Sequence, residues 1–289
     1  MRPIPRQGYL PRADGHSLYW ERHGCDGAEP VFFLHGGPGG CSSGHHLDFF
    51  DSARFDIILF DQRGGGRSTP HGECRDNNTA LVIEDIEALR QYFGFTQIAL
   101  LGISWGSWLA LQYAWHHPSR VSRLVLASLF VPSPENRAAY HRALTRHLKT
   151  LGFTSFRHLC SDIEHPNLHH QRLAAMAWVK AGLRANRQYF DAQALEAFID
   201  DVALRAIRLE LHYHRAGYFF TEQDKALSLT HVCQVIQGVN DAIGLASLRW
   251  LRRRVPLQCR LFKAGHDAFN PTLLNAVRQS LACTTDAQR

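Results

Sequence analysis

Residues 102–106, Gly-Ile-Ser-Trp-Gly, most restrict how this chain can fold. An apolar run over residues 97–101 precedes them, and a helical pattern follows up to Pro118. A serine flanked by glycines between a strand and a helix is typical of a sharp turn that exposes the hydroxyl at the edge of a sheet. The free N–H groups at the start of the helix favour negative charge developing there. The pattern therefore predicts Ser104 as a nucleophile.

The segments on both sides of this turn predict a mostly parallel sheet flanked by helices. Short apolar runs, which are typical of strands buried on both faces, occur at residues 31–34, 55–60, 97–101, 123–127, 232–236 and 259–262. Helical patterns separate several of them, beginning at Thr79, after Ser104, near residue 245 and at Pro271. Residues 17–23 alternate in polarity and indicate an early hairpin at the edge of the sheet. Alternating strands and helices favour parallel pairing through right-handed crossovers.

The middle of the chain departs from this alternation. Residues 132–230 show helical periodicity and almost no strand pattern. The length of 289 residues alone is compatible with two domains. We therefore predict a single α/β catalytic domain formed by residues 1–131 and 231–289, with a helical cap inserted over residues 132–230.

A serine hydroxyl becomes a strong nucleophile only when a base removes its proton, and that base is usually a histidine oriented by a carboxylate. In folds with this type of turn the chain order is serine, acid, histidine. Asp241 follows the predicted strand at 232–236, and His266 follows the strand at 259–262. Both lie at carboxyl ends of strands, where active sites of open α/β sheets assemble. With 18 histidines in the chain, His266 is chosen for its position.

The glycine-rich segment at residues 35–40, His-Gly-Gly-Pro-Gly-Gly, follows another predicted strand. Hydrolysis through a tetrahedral intermediate needs hydrogen-bond donors for the oxyanion. We predict one donor in the backbone N–H of Trp105 and the second in that of Gly37, with Gly36 as the less favoured alternative. The chain has neither a phosphate-binding loop sequence nor a dinucleotide fingerprint, so we expect no nucleotide cofactor.

Composition excludes several other classes of protein. The net charge is +6 and is not concentrated in long basic runs, which argues against a nucleic-acid partner. The seven cysteines form no CxxC pair and the histidines no HExxH motif, so no metal is expected. No apolar run of 18 residues occurs and none follows Met1, which predicts neither a membrane span nor a secretory signal. We expect a cytoplasmic protein with reduced thiols that acts on a small molecule or short peptide; its oligomeric state stays open.

Three segments together resemble the proline iminopeptidase (prolyl aminopeptidase) family of α/β-hydrolases. They are residues 34–40, Leu-His-Gly-Gly-Pro-Gly-Gly; 60–68, Phe-Asp-Gln-Arg-Gly-Gly-Gly-Arg-Ser; and 102–107, Gly-Ile-Ser-Trp-Gly-Ser. Residues 238–241 and 264–266 are similar to the family's aspartate and histidine segments. The resemblance implies an α/β-hydrolase fold, a triad of Ser104, Asp241 and His266, a helical cap and no cofactor. Members of this family release N-terminal proline from peptides through an acyl-enzyme.

The resemblance extends in part to the cap, where family members use glutamates to hold the ammonium group of the substrate. Residues 209–214, Leu-Glu-Leu-His-Tyr-His, resemble one such segment, which implies Glu210 as a substrate-binding residue. A second segment is matched only in its first half, because Ala181 and Gly182 stand where the family has tryptophan and glutamate. Glu210 therefore favours an aminopeptidase, whereas Ala181 and Gly182 favour an esterase or amidase for another small substrate. A non-catalytic receptor on the same fold is a third, less favoured hypothesis.

Overall fold

The structure, a computed structural model, describes residues 6–186, 191, 195 and 199–282. Within these residues eight strands form a single sheet: β1 (Arg6–Pro11), β2 (Ser17–Gly24), β3 (Glu29–Leu34), β4 (Phe55–Phe60), β5 (Ile98–Ser104), β6 (Val121–Leu129), β7 (Cys233–Gly238) and β8 (Leu257–Phe262). The helices are α1 (Thr79–Tyr92), α2 (Trp105–His116), α3 (Pro134–Thr150), α4 (Phe156–Ile163), α5 (Leu168–Ala185), α6 (Asp201–Arg215), α7 (Ala242–Leu251) and α8 (Pro271–Ala282).

The strand order across the sheet is β1-β2-β4-β3-β5-β6-β7-β8. The pairs β1–β2 and β2–β4 are antiparallel. All the following neighbours in this order, from β4–β3 to β7–β8, are parallel. This confirms the predicted mostly parallel α/β-hydrolase sheet. The strand β1, which pairs with the predicted segment at 17–23, was not recognised because it is an exposed edge strand without a buried apolar run.

Helices cover both faces of the sheet, as its continuous apolar strands require. The apolar sides of α1, α2 and α7 pack on one face, and α8 packs on the other. Helix α1 begins where the Asn78 side chain accepts a hydrogen bond from the Leu81 N–H at 3.0 Å. It then buries Val82, Ile86 and Leu89, which recur at helical spacing, against the sheet. The layers thus hold the carboxyl ends of the parallel strands at one edge.

The helices α3–α6 lie between the end of β6 and the start of β7 in the chain and share a separate apolar cluster that includes Leu144, Leu159 and Trp178. Helix α6 and the turn that follows it are bound to the sheet domain by polar contacts. The Tyr213 hydroxyl donates to Asn77 Oδ1 at 2.7 Å, and Thr79 Oγ1 donates to the carbonyl of Tyr218 at 2.7 Å. The cap boundaries at 132 and 230 stay a prediction.

Among the described residues no helix is both long and apolar enough to cross a membrane. Six cysteines in this part of the chain are free, namely Cys25, Cys41, Cys74, Cys160, Cys233 and Cys259. Cys283 and the N-terminal residues 1–5, on which the expectation of no secretory signal depends, lie outside the described residues.

Candidate active site

Ser104 is the last residue of β5 and immediately precedes α2. Its backbone angles are φ 53° and ψ −121°, a region that non-glycine residues rarely occupy. Such strain persists only where the surroundings enforce it, and it is typical of functional sites. Here the close approach of α2 to β3 enforces it, because a Cβ on Gly106 would overlap the carbonyl oxygen of Leu34. The Ser104 side chain therefore stands at the strand end and reaches a cavity.

The structure brings Ser104, His266 and Asp241 into one hydrogen-bonded chain. Ser104 Oγ lies 2.9 Å from His266 Nε2, and His266 Nδ1 lies 2.7 Å from Asp241 Oδ2. An ionised carboxylate only accepts hydrogen bonds, so Nδ1 carries a proton and Nε2 is left to accept from the Ser104 hydroxyl. This is the arrangement that activates a serine hydroxyl.

Asp241 is buried, which alone would favour its protonated form. The hydrogen bond from His266 and those from the Gly244 N–H (2.8 Å) and Gln237 Nε2 (2.7 Å) outweigh burial and lower the pKa of Asp241. Asp241 is also the N-cap of α7, so the same carboxylate caps a helix and orients His266. The neighbouring Asp267 instead accepts from the Phe269 N–H at 2.9 Å.

The residues predicted to hold the oxyanion surround Ser104. Trp105 is the first residue of α2, so its backbone N–H has no acceptor within the helix. Gly37 lines the same cavity as Ser104. Gly36 lies against Ser104, since a Cβ at residue 36 would come 3.4 Å from Ser104 Cβ. The structure thus brings all three predicted residues to the nucleophile.

Gln62, which sequence reasoning did not single out, joins the two sides of this oxyanion region. Its Oε1 accepts from Trp105 Nε1 at 3.0 Å, and its Nε2 donates to the carbonyl of His35 at 3.0 Å. Its backbone N–H donates to His35 Nε2 at 3.1 Å. Burial lowers the pKa of His35, so the ring stays neutral and keeps this acceptor. The glycine loop is therefore fixed to the nucleophile turn by side chains.

A cavity of about 230 Å³ opens beside Ser104 and extends under the cap. Its lining comprises Gly37, Ser104, Phe130, Tyr140, Asn186, Glu210, Tyr218, Ile243 and His266. The Trp178 indole N–H donates to Glu210 Oε2 at 2.9 Å. Burial raises the pKa of Glu210 to about 7, although this hydrogen bond acts in the opposite direction. Glu210, the predicted substrate-binding residue, and Ser104, the predicted nucleophile, thus line the same cavity.

Sequence reasoning missed the cap residues Tyr140, Asn186 and Tyr218, which line this cavity. No local motif marks them, because separate elements of the cap bring them together. Gly182 on α5 leaves room in this region: a Cβ there would meet only the Tyr140 hydroxyl, at 3.8 Å.

Two clusters from the 60–68 segment support the strand ends. Asp61 accepts from the Ser42 N–H at 2.7 Å and from Arg67 Nε at 2.9 Å. Burial opposes ionisation of Asp61, but these contacts lower its pKa. Arg63 forms a bidentate pair with Asp85, with distances of 2.8 and 2.7 Å. The first cluster joins the loop after β4 to the segment that follows the glycine loop, and the second joins it to α1.

Comparison with known proteins identifies relatives of this chain. The model of the alpha/beta hydrolase fold matches residues 29–158. The proline iminopeptidase of Neisseria gonorrhoeae is 34% identical over an alignment of 298 positions. This alignment covers 95% of this chain and 94% of that protein. The proline iminopeptidase of Arabidopsis thaliana is 32% identical over 91% of this chain and 76% of its own length.

Solved structures agree in fold. A proline iminopeptidase-related protein from Thermus thermophilus has a TM-score of 0.63 at 21% identity, covering 96% of this chain and 98% of its own. A structure from work on epoxide hydrolases in metagenomes from hot environments has a TM-score of 0.69 at 20% identity, with coverage of 97% and 100%. Fold, sequence relatives and the residues gathered at Ser104 all agree, and the chain belongs to the proline iminopeptidase family of α/β hydrolases.

Proposed function

We propose that this protein is a serine aminopeptidase that releases N-terminal proline from peptides through a triad of Ser104, His266 and Asp241. The observation that carries the proposal is the position of Glu210, which lines the same cavity as Ser104. A carboxylate beside the nucleophile provides a partner for the cationic N-terminus of a peptide, and it leaves the adjacent carbonyl near Ser104 Oγ. Either charge alone would be costly to bury.

In the first step, His266 Nε2 takes the proton of Ser104 as Oγ attacks the carbonyl carbon of the prolyl residue. The carbonyl oxygen becomes an oxyanion, which the backbone N–H groups of Trp105 and Gly37 stabilise, with Gly36 as the alternative donor. Asp241 stabilises the imidazolium that forms. The distances of 2.9 and 2.7 Å along this chain are those of ordinary hydrogen bonds.

In the second step, the intermediate collapses and the carbon–nitrogen bond breaks. His266 gives its proton to the departing amine of the shortened peptide, which leaves a prolyl ester on Ser104. Water, deprotonated by His266, then attacks this ester. Proline is released, and the proton returns to Ser104 Oγ.

The proposal is tested by turnover of a proline arylamide and of short-chain aryl esters. We expect the arylamide to be hydrolysed, and Ser104→Ala to reduce kcat by about 10⁵-fold or more. Ser122→Ala, which removes a hydroxyl on β6 away from the cavity, serves as the matched control and should retain full activity.

The other two hypotheses give different results in the same assay. Ester turnover that depends on Ser104, without arylamide turnover, would support the esterase hypothesis. The structural observation in its favour is the absence of a side chain at Gly182. A protein that binds cavity ligands but hydrolyses neither class of substrate would be a receptor.

We further propose a cytoplasmic location and a substrate that is a small molecule or short peptide. The six free cysteines support the location, because disulfides are rare in reducing compartments. The cavity of about 230 Å³ supports a ligand of this size. Fractionation of cells with a marker for each compartment tests the location.

A further inference from the structure

The turn after α6 has an unusual backbone conformation. The backbone at Gly217, Tyr218 and Phe219 lies in the left-handed region, with φ values of 60°, 57° and 54°. Two consecutive non-glycine residues in this region are strained, so surrounding contacts must hold them. Thr79 Oγ1 donates to the Tyr218 carbonyl at 2.7 Å. The Tyr218 ring packs against Phe130, with the two ring centroids 4.9 Å apart. The fold thus maintains a costly conformation that brings Tyr218 to the wall of the cavity.

The hydroxyl of Tyr218 belongs to a hydrogen-bonded chain that leads to the surface. It lies 3.3 Å from His214 Nδ1, and His214 Nε2 lies 3.2 Å from Nδ1 of the exposed His141. Burial lowers the pKa of His214 to about 4, and the nearby His141 and Arg137 act in the same direction. His214 is therefore neutral at pH 7, with one nitrogen that donates and one that accepts.

The chemistry of the two groups decides the direction of these hydrogen bonds. A phenol is a stronger acid than a neutral imidazole, and an imidazole nitrogen is a better acceptor than a phenolic oxygen. Tyr218 therefore donates its proton to His214 Nδ1, and His214 Nε2–H donates to His141. The lone pairs of the Tyr218 oxygen remain available to the cavity, which makes this hydroxyl an acceptor there.

Several acceptors line the cavity, including the hydroxyl of Tyr140 and the Oδ1 of Asn186, which has no partner among the described residues. Two of the acceptors have positions fixed by hydrogen bonds. Glu210 Oε2 receives the indole N–H of Trp178, which leaves Oε1 for a ligand, and the Tyr218 oxygen is the second acceptor. A protonated N-terminal proline is a cyclic secondary ammonium with two N–H groups, whereas other amino acids have three. Glu210 Oε1 and the Tyr218 oxygen can therefore each accept one N–H of a proline ammonium.

We propose that Tyr218 is a further substrate-binding residue, which accepts one N–H of a cyclic secondary ammonium while Glu210 accepts the other. This inference rests on the proposed function and names how the same site holds the ammonium group of its substrate. His214 and His141 are positioning residues, because they orient the hydroxyl of Tyr218 without touching the substrate.

Binding without turnover provides the test, so all variants carry Ser104→Ala. The dissociation constant of prolinamide, with two N–H groups on its ammonium, and that of N-methylprolinamide, with one, are measured by calorimetry at pH 7.5. We expect Tyr218→Phe to weaken prolinamide about 10-fold or more, the usual effect of a lost hydrogen bond to a charged group. N-methylprolinamide should change by less than about 2-fold, because its single N–H is held by Glu210.

Two further variants sharpen this result. His214→Leu should reproduce the selective loss for prolinamide and add little when combined with Tyr218→Phe, since both act through one hydroxyl. Tyr113→Phe is the matched control: it removes a buried hydroxyl that donates to Glu87 Oε2 at 2.8 Å outside the cavity. It should leave both dissociation constants unchanged.

An equal loss for both ligands in Tyr218→Phe, no loss for either, or no prolinamide binding before Tyr218 is changed would overturn the inference. These results are separate from those that judge the proposed function. If prolinamide binds in the predicted pattern but the enzyme with Ser104 intact hydrolyses no proline arylamide, the peptidase proposal fails and the binding inference stands.

Discussion

At the scale of single residues, Glu210 differs from an ordinary surface glutamate because its carboxylate is enclosed by the cap. Burial raises the pKa of Glu210 to about 7, so its charge changes within the range in which enzymes usually work. Protonated Glu210 cannot attract an ammonium group, and ionised Glu210 can. Under the proposed function, the binding of a cationic substrate is therefore linked to the titration of this residue.

This linkage predicts a pH dependence with a definite sign. As the pH rises from 6 to 8, ionisation of Glu210 should increase kcat/KM for a proline arylamide by up to about 10-fold. His266 also titrates during catalysis, so the measured quantity is the ratio of kcat/KM for the arylamide to that for a neutral aryl ester. Glu210→Gln should make this ratio independent of pH. A ratio in the unmodified enzyme that stays constant from pH 6 to 8 would contradict the prediction.

The sequence was sufficient to predict that Ser104, Asp241 and His266 come together, because each follows the carboxyl end of a parallel strand in a short, recognisable segment. It was insufficient for Tyr218 and His214. Their place at the cavity depends on how α6 packs on Asn77 and Thr79, which lie far away in the chain. Such contacts between distant segments leave no local pattern.

At the scale of elements, the turn between β5 and α2 depends on a close approach of backbones. Gly106 lies in the first turn of α2, directly against the carbonyl of Leu34 at the end of β3. Gln62 then fixes the following glycine loop to Trp105. The separation of α2 from β3 therefore sets the position of both Ser104 and the predicted oxyanion donors.

A methyl group at this contact should be costly. We expect Gly106→Ala to lower the free energy of unfolding by about 1–3 kcal/mol or more, since the added Cβ must displace backbone. Urea denaturation measures the change. Gly44→Ala is the matched control, because a Cβ there meets nothing within 4 Å, and it should change stability by less than about 0.5 kcal/mol. Equal stability of the two variants would refute this account of the turn.

The elements themselves were largely predictable because strands buried on both faces are continuous apolar runs, as in β4 with all six residues buried. The edge strand β1 has no such run and was missed. Helix α7 begins three residues before the predicted position, at the cap formed by Asp241, since a capping carboxylate extends the helix beyond its apolar pattern.

At the scale of the whole molecule, Arg63 connects distant parts of the catalytic domain. Its guanidinium contacts Asp85 of α1 and, at 2.9 Å, Asp14 in the turn between β1 and β2. The side chains of Arg63 and Asp85 are 1% and 0% exposed. A buried pair of this kind leaves an uncompensated charge when one partner is removed.

We therefore expect Arg63→Met to reduce the free energy of unfolding by about 3–5 kcal/mol. The exposed pair of Arg6 and Asp26 offers a matched comparison, with side chains 55% and 64% exposed. Asp26→Asn should change stability by less than about 1 kcal/mol. Both values come from urea unfolding at pH 7, and a similar effect for the two variants would show that Arg63 does not hold the domain together.

The glycine loop and the cap meet in the contact between Gly39 and the backbone of Ala206 on α6. The approach is so close that a methyl group on Gly39 would overlap the Ala206 carbonyl. Helix α6 also carries Glu210, one turn further along. The distance between the carboxylate and the predicted oxyanion donors is therefore set by two backbones in contact. Under the proposed function, a substrate must place its amine at Glu210 and its carbonyl at these donors, so we expect the number of bonds between the amine and the carbonyl of a ligand to be restricted.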